Sequence, residues 1–141
     1  MPHSSIDQRR MAMVTRNSKA VDLALAYCEA WSNHDWETAR KALADDVKVT
    51  ATTTMPGAPK TDLDGPDAYM EGLRAFAGTI VPGTLQVMAS AGDERNALVQ
   101  LTAQMDGPPF GPLTWHGARL YLFDENDKIR EEQVIFVGVP R

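Results

Sequence analysis

A single cysteine, Cys28, leaves the chain without the means to form an intramolecular disulfide. It sits inside a helical apolar pattern, the usual setting of a small, inert, buried thiol. Positive charge is also in short supply. Fourteen Lys and Arg face 19 Asp and Glu, for a net charge of -5. The basic residues are scattered, so no basic stripe can displace counterions from a phosphate backbone, which argues against a nucleic-acid partner. No apolar run approaches the ~20 residues that span a bilayer, and no hydrophobic signal core follows the first ten residues. These absences predict a soluble, cytoplasmic protein with no membrane partner, preceded by a polar leader over residues 1–16 that is expected to be mobile. The three histidines, His3, His34 and His116, are dispersed and show no ligand spacing. That argues against a metal site, and nothing in the sequence calls for a cofactor.

With 141 residues and 43% hydrophobic content, the chain can build one compact domain, placed at 17–141. Asn17 or Ser18 is positioned to cap a helix whose apolar residues recur at Val21, Ala24, Leu25, Cys28 and Trp31. Asp35 can cap a short second helix carrying Trp36, Ala39 and Leu43, which Ala44-Asp45-Asp46 ends. Val47 to Thr54 alternates as a strand, and Met55 to Gly65 reads as a surface loop rich in turn residues. Pro66 opens a third amphipathic helix through Tyr69, Met70, Leu73 and Phe76, closed by Gly78. Four strands follow, over 84–91, 96–105, 115–123 and 128–139, with connections that suit antiparallel hairpins. Helices first and strands afterwards predict an α+β fold in which a curved, mostly antiparallel sheet wraps three N-terminal helices.

The order of these elements, and the words Ala26-Tyr-Cys-Glu-Ala-Trp31 with Asp35, Leu43-Ala-Asp-Asp-Val47, Gly65-Pro-Asp-Ala-Tyr69 and Asp127-Lys-Ile-Arg-Glu-Glu132, resemble the SnoaL-like members of the nuclear-transport-factor-2-like superfamily. The resemblance implies an α+β cone opening into an apolar pocket, and a homodimer formed through the open face of the sheet. Relatives of this kind include ketosteroid isomerases, polyketide cyclases, limonene-epoxide hydrolases, dehydratases and noncatalytic binding proteins, so fold alone does not name the activity.

The catalytic patterns implied by those relatives separate on individual residues. The oxyanion tyrosine of the isomerases maps to Tyr27, eight residues before Asp35, but their carboxylate base maps to Ala51 and their second oxyanion acid to Arg119. The water-activating residues of the epoxide hydrolases map to Gln100, Thr102 and Val134, which cannot do that work. The late-strand acid of the cyclases survives as Glu131 or Glu132.

Pairing Phe123 with Lys128 sets Arg119 opposite Glu132 and sends both to one face with Tyr121, Val134 and Phe136. That face is either the pocket wall or the dimer-facing side, and one residue of slip would reverse it. A guanidinium beside a carboxylate suits electrostatic binding of a polar substrate group more than general-base work. His116 points to the face opposite Arg119, either as an acid-base group or as a hydrogen-bonded surface residue. Tyr27 is either a satisfied core tyrosine or the hydrogen-bond donor of the pocket. The resulting catalytic set is Tyr27, Arg119 and Glu132, with Trp31, Met55, Tyr69, Phe76, Trp115, Tyr121 and Phe136 shaping a cavity for a small hydrophobic ligand. The expected activity is cofactor-free isomerisation, cyclisation or dehydration of a polyketide-, terpenoid- or steroid-like molecule; the alternative is a noncatalytic binding or scaffolding protein.

Overall fold

The computed structural model describes residues 18–55, 61–108 and 111–141; the leader and the middle of the Met55–Gly65 segment lie outside them. Helix α1 spans Lys19–Ser32, α2 Trp36–Lys41 and α3 Pro66–Ala77. Strands β1 (Leu43–Thr53), β2 (Thr61–Asp64), β3 (Gln86–Gly92), β4 (Asn96–Met105), β5 (Leu113–Phe123) and β6 (Ile129–Pro140) form one sheet in the order β2-β1-β6-β5-β4-β3. Among the described strands only the β1–β6 pair is parallel, which the long connection between them allows. The architecture is the α+β arrangement anticipated from the order of helical and strand patterns.

Local chemistry sets the helix ends. The Ser18 hydroxyl accepts from the Val21 amide at 3.1 Å, and the Asp35 carboxylate accepts from Thr38 at 3.3 Å, so each side chain satisfies a free first-turn donor. Pro66 occupies the start of α3, where its missing N–H costs no bond.

Two boundaries differ from expectation for tertiary reasons. Leu43, Ala44, Asp45 and Asp46 belong to β1 rather than to the end of α2, since Leu43 pairs with Ile129 and the Ile129 amide donates to Ala42 at 2.7 Å. Within the segment expected to be loop, Thr61–Asp64 forms β2, where Leu63 pairs with Val49.

Alternation in β4 and β5 divides the sheet cleanly. Ala97, Val99, Leu101 and Ala103 are buried, as are Leu113, Trp115, Gly117, Arg119, Tyr121 and Phe123, all facing the helices. Of the buried polar or charged residues in the described chain, Arg119 and Glu132 are the two that carry charge. Their placement defines the site.

Candidate functional site

The β5–β6 register brings the charged pair together differently from the sequence expectation. Phe123 pairs with Ile129 rather than Lys128, because Asp124 closes the turn by accepting from the Asn126 and Lys128 amides. A bulge between Leu122 and Phe123 adds a second residue of shift. Arg119 therefore stands opposite Val134, and Glu132 opposite Tyr121. A two-residue displacement preserves the side-chain face, so Arg119 and Glu132 still share one side and meet diagonally. Across the sheet this produces two adjacent inward rows, Ala51-Val134-Arg119-Val99 and Val49-Glu132-Tyr121-Ala97.

Arg119 is 4% exposed and Glu132 2%. The guanidinium Nη1 donates to both carboxylate oxygens, at 3.4 and 3.5 Å, and its Nε has no partner among the described residues. The guanidinium carbon lies 5.1 Å from the ring centroids of Trp31 and Phe76 and 5.8 Å from that of Trp115. Such contacts contribute ~2 kcal/mol or more each when desolvated. Burial alone would pull the pKa of Arg119 down. Glu132, followed by Tyr121, Tyr69 and Cys28, outweighs it and holds the guanidinium above its ordinary range, firmly charged.

The pair forms the floor of a cavity of about 240 Å³ whose other walls are mostly apolar. Val49, Tyr69, Leu73, Leu113, Trp115 and Val134 line its buried depth, while half-buried Ala51, Met55, Thr61, Leu63, Phe76 and Phe136 stand toward the rim. Trp115 folds back over Gly117, where a Cβ would meet the indole at 2.1 Å, so glycine is what allows that ring to lie flat along the wall and stack on Phe136. In the same way Met55 rests against Gly138, where a Cβ would stand 2.8 Å from its terminal methyl.

Seven of the ten anticipated residues therefore border this cavity: Arg119, Glu132, Met55, Tyr69, Phe76, Trp115 and Phe136. Tyr27, Trp31 and Tyr121 do not; they stand behind the wall. Trp31 backs the Arg119 guanidinium, and Tyr121 approaches the Cys28 thiol, 3.6 Å from its hydroxyl. Tyr27 packs edge-on against Tyr69 and Tyr121, with centroids 6.2 and 6.0 Å apart. The tyrosine that reaches the cavity is Tyr69 on α3. The word Gly65-Pro-Asp-Ala-Tyr69 marks it as the residue four positions into a helix, which does not reveal that its face meets the charged pair. Leu63 and Ala51 also join the lining, Ala51 at the position where the resemblance places an isomerase base. His116 points to the outer face, 3.4 Å from the Thr102 hydroxyl, away from Arg119.

The hydroxyls of Tyr27 and Tyr69 are buried and, among the described residues, make no hydrogen bond of acceptable geometry even with each other. Burial pushes the phenols of Tyr27, Tyr69 and Tyr121 well above their ordinary value of 10.0; Glu132 adds most to that for Tyr27 and Tyr69, and Cys28 and then Glu132 for Tyr121. All three are proton donors at neutral pH. The Cys28 thiol is pushed up by burial as well.

These shifts set a pH dependence. Groups whose folded pKa is raised stay protonated in the folded chain while the unfolded chain loses protons, so their stabilisation is complete below the unfolded value and is lost as pH rises toward the folded one. The thermal midpoint is thus expected to decline from about pH 9 upward, where an unfolded thiol and then unfolded phenols ionise. Tyr69→Phe should flatten the decline. An equal slope in both proteins, measured by calorimetry from neutral to alkaline pH, would contradict the burial described for Tyr69.

A larger recess of about 580 Å³ opens between the end of α1 and the α3–β3 connection, lined by Trp31 to His34 and Ala77 to Leu85. Among the described residues that line it, none but His34 has an acidic or basic side chain. Among the described residues no group of three or more His, Cys, Asp or Glu is arranged to hold a metal, and no helix is long and apolar enough to cross a membrane.

Comparison with known proteins places this geometry in a family. The SnoaL-like domain matches residues 24–132. A solved structure from Kribbella flavida is similar over 85% of this chain and 88% of its own, at 26% identity and a TM-score of 0.69. The epoxide hydrolase/cyclase-like enzyme SalBIII, described for pyran ring formation in the polyether salinomycin, aligns over 86% of this chain and 95% of its own, at 13% identity and a TM-score of 0.66. An LEH-like epoxide hydrolase from M. tuberculosis aligns over 84% and 82%, at 19% identity and a TM-score of 0.62. At these last two identities the likeness is one of fold. Among curated protein sequences, none matches the chain.

Proposed function

The chain belongs to the SnoaL-like domain family, and from that footing we propose that it is a cofactor-independent enzyme acting on a small hydrophobic molecule by isomerisation, cyclisation or dehydration. The observation that carries this reading is the Arg119–Glu132 pair, almost fully buried yet set at the floor of an otherwise apolar cavity. An apolar recess with a few convergent polar groups is the usual form of a small-molecule site. A buried ion pair is weak evidence for stability, since apolar replacements often hold a fold as well.

Among the described residues Glu132 is the only acidic side chain on the cavity wall, and so the group there able to take and return a proton. In the proposed step a C–H bond beside a substrate carbonyl breaks, the proton goes to the Glu132 carboxylate, and the electron pair moves toward the carbonyl oxygen. Arg119 and Tyr69 supply positive charge and an O–H donor where that oxygen gains charge. Return of the proton to another carbon isomerises the substrate; if the C–O bond of a neighbouring hydroxyl breaks instead, that oxygen takes the proton from Glu132, leaves as water, and the substrate is dehydrated.

A second reading, noncatalytic ligand binding, draws on one observation: both Glu132 oxygens already face Arg119 Nη1, and Ala51 offers no base. The discriminating experiment is native mass spectrometry of co-purified ligand, followed by incubation of that ligand with wild-type protein and with Glu132→Gln. Conversion by the wild type alone supports the enzyme, and recovery of unchanged ligand from both supports the binder.

The outer sheet face bears on assembly. Leu98, Leu120, Ile135, Val137 and Val139 stand on it, 41–56% exposed, beside Gln100, Thr102, Gln104, Thr114 and His116. These ten positions carry no Lys, Arg, Asp or Glu; on the same face Glu131, opposite Leu122, and Lys48, beside it on β1, border the patch. An apolar, uncharged surface of this kind is compatible with its own copy, and a homodimer through this face is the assembly we propose. Ile135→Lys should shift the protein to monomer in sedimentation; a wild type that is already monomeric at micromolar concentration removes the dimer.

A further inference from the structure

We infer that the cavity selects an uncharged molecule of one or two rings that carries a hydrogen-bond-accepting oxygen, and that it rejects acids and amines of similar skeleton. This deepens the reading of the cavity as the substrate site and rests on it.

Charge supplies the first part of the argument. Arg119 and Glu132 neutralise each other at 3.4 Å, and among the described residues no other ionisable side chain that is charged at neutral pH lines the cavity. A carboxylate or ammonium entering there would lose its hydration with no free counter-charge to meet it.

The second part is a census of donors and acceptors. Among the described residues, the unpartnered buried atoms at or behind the floor are the Tyr69 and Tyr27 hydroxyls, Arg119 Nε and Trp31 Nε1. Arginine and indole nitrogens can only donate, and a phenol that stays protonated brings a donor as well. The one strong acceptor, the Glu132 carboxylate, is already engaged by Arg119 Nη1. The site therefore holds surplus donors in an apolar wall, and an incoming oxygen acceptor relieves that imbalance where a hydrocarbon does not. Of the residues that carry these donors, Tyr69 and Arg119 belong to the cavity wall itself.

Size completes it. The cavity measures about 240 Å³. It falls below the ~300–1,000 Å³ usual for drug-sized ligands. One or two rings match that space; a four-ring skeleton would extend past the half-buried rim.

The test is titration of the intrinsic tryptophan fluorescence, to which Trp115 on the wall contributes, with five probes: menthone, menthane, cyclohexanecarboxylate, cyclohexylamine and androstenedione. Menthone should bind about ten-fold tighter than menthane, and the acid, the amine and the four-ring diketone should bind more weakly than menthone. Tyr69→Phe should bring the menthone-to-menthane ratio down toward unity while leaving the thermal midpoint of the ligand-free protein unchanged or higher, since the hydroxyl removed has no partner there. A loss of ligand discrimination without a loss of folding is what a merely structural tyrosine would not produce. Equal binding of menthone and menthane, tighter binding of the acid, the amine or the diketone, an unaltered ratio in Tyr69→Phe, or no binding of menthone each overturns the inference. Because titration needs no turnover, these outcomes leave the enzymatic reading to be judged separately: Glu132-dependent conversion of a charged substrate would preserve the enzyme and overturn the inference, and menthone selectivity without any turnover would do the reverse.

Discussion

Arg119→Met is expected to cost about 3–5 kcal/mol of folding stability. The substitution keeps a long apolar stem against Trp31, Phe76 and Trp115 but strands the Glu132 carboxylate, which is 2% exposed, without its partner. An unpaired buried charge carries nearly its whole desolvation penalty. The double replacement Arg119→Met with Glu132→Leu removes both charges and should recover most of the loss, because an apolar pair of similar volume is often as stable as the ion pair it replaces. Urea unfolding of the four proteins of this cycle measures the coupling directly. A single Arg119→Met variant with the wild-type midpoint and slope would mean that Glu132 is hydrated in solution, contrary to its burial here. The double variant also separates the roles: a folded protein with an apolar floor should retain the cavity and lose the chemistry.

Glu132→Gln should lower turnover of the cavity ligand by about 10²–10⁴-fold, the range associated with losing a positioned proton-transfer group. The amide is nearly the same size and retains one acceptor oxygen for Arg119 Nη1, but it leaves the buried guanidinium without a counter-charge, so a loss of stability accompanies the substitution as it does in Arg119→Met. Arg119 remains charged, and the electrostatic part of ligand binding changes less than the proton-transfer step. The expected signature is a large fall in kcat with a smaller change in KM. Turnover within about three-fold of wild type would assign the proton transfer to another group. Circular dichroism and the thermal midpoint of the same preparation establish that the comparison is between folded proteins.

Particular residues show how much of this was legible beforehand. The alternation of Ala97, Val99, Leu101 and Ala103 against Leu98, Gln100, Thr102 and Gln104 marked the buried face of β4 without any knowledge of its neighbours, because a strand has a period of two. The same alternation placed Arg119 and Glu132 on one face. The hairpin pairing read from the sequence also sets them opposite each other, and the structure does not, since the Asp124 turn and the Leu122–Phe123 bulge each shift the pairing by one residue. The face survived because the two shifts sum to an even number. Thr61–Asp64 was hidden among prolines and glycines, and became a strand only because β1 offered an edge to pair with. Tyr27 and Tyr69 present the clearest contrast. Spacing along α1 favoured Tyr27 as the donor of the pocket, whereas α3 delivers Tyr69 to the cavity and leaves Tyr27 behind it.

By itself the sequence determined the succession of helices and of every strand but β2, a cap at Asn17 or Ser18 and another at Asp35, the inward face of β4, and one face shared by Arg119 and Glu132. These are local properties, written in periodicity and in side-chain hydrogen bonding over a few residues. Only the tertiary structure decided that the pair lies under a cavity, that three aromatic rings hold the guanidinium, and that Tyr69 and Leu63 border the site while Tyr27 and Tyr121 do not. The physical reason is that a cavity is bounded by elements distant in sequence, here β1, β2, α3, β5 and β6. Its lining depends on their relative placement to within an ångström or two, which no spacing along a single helix or strand encodes.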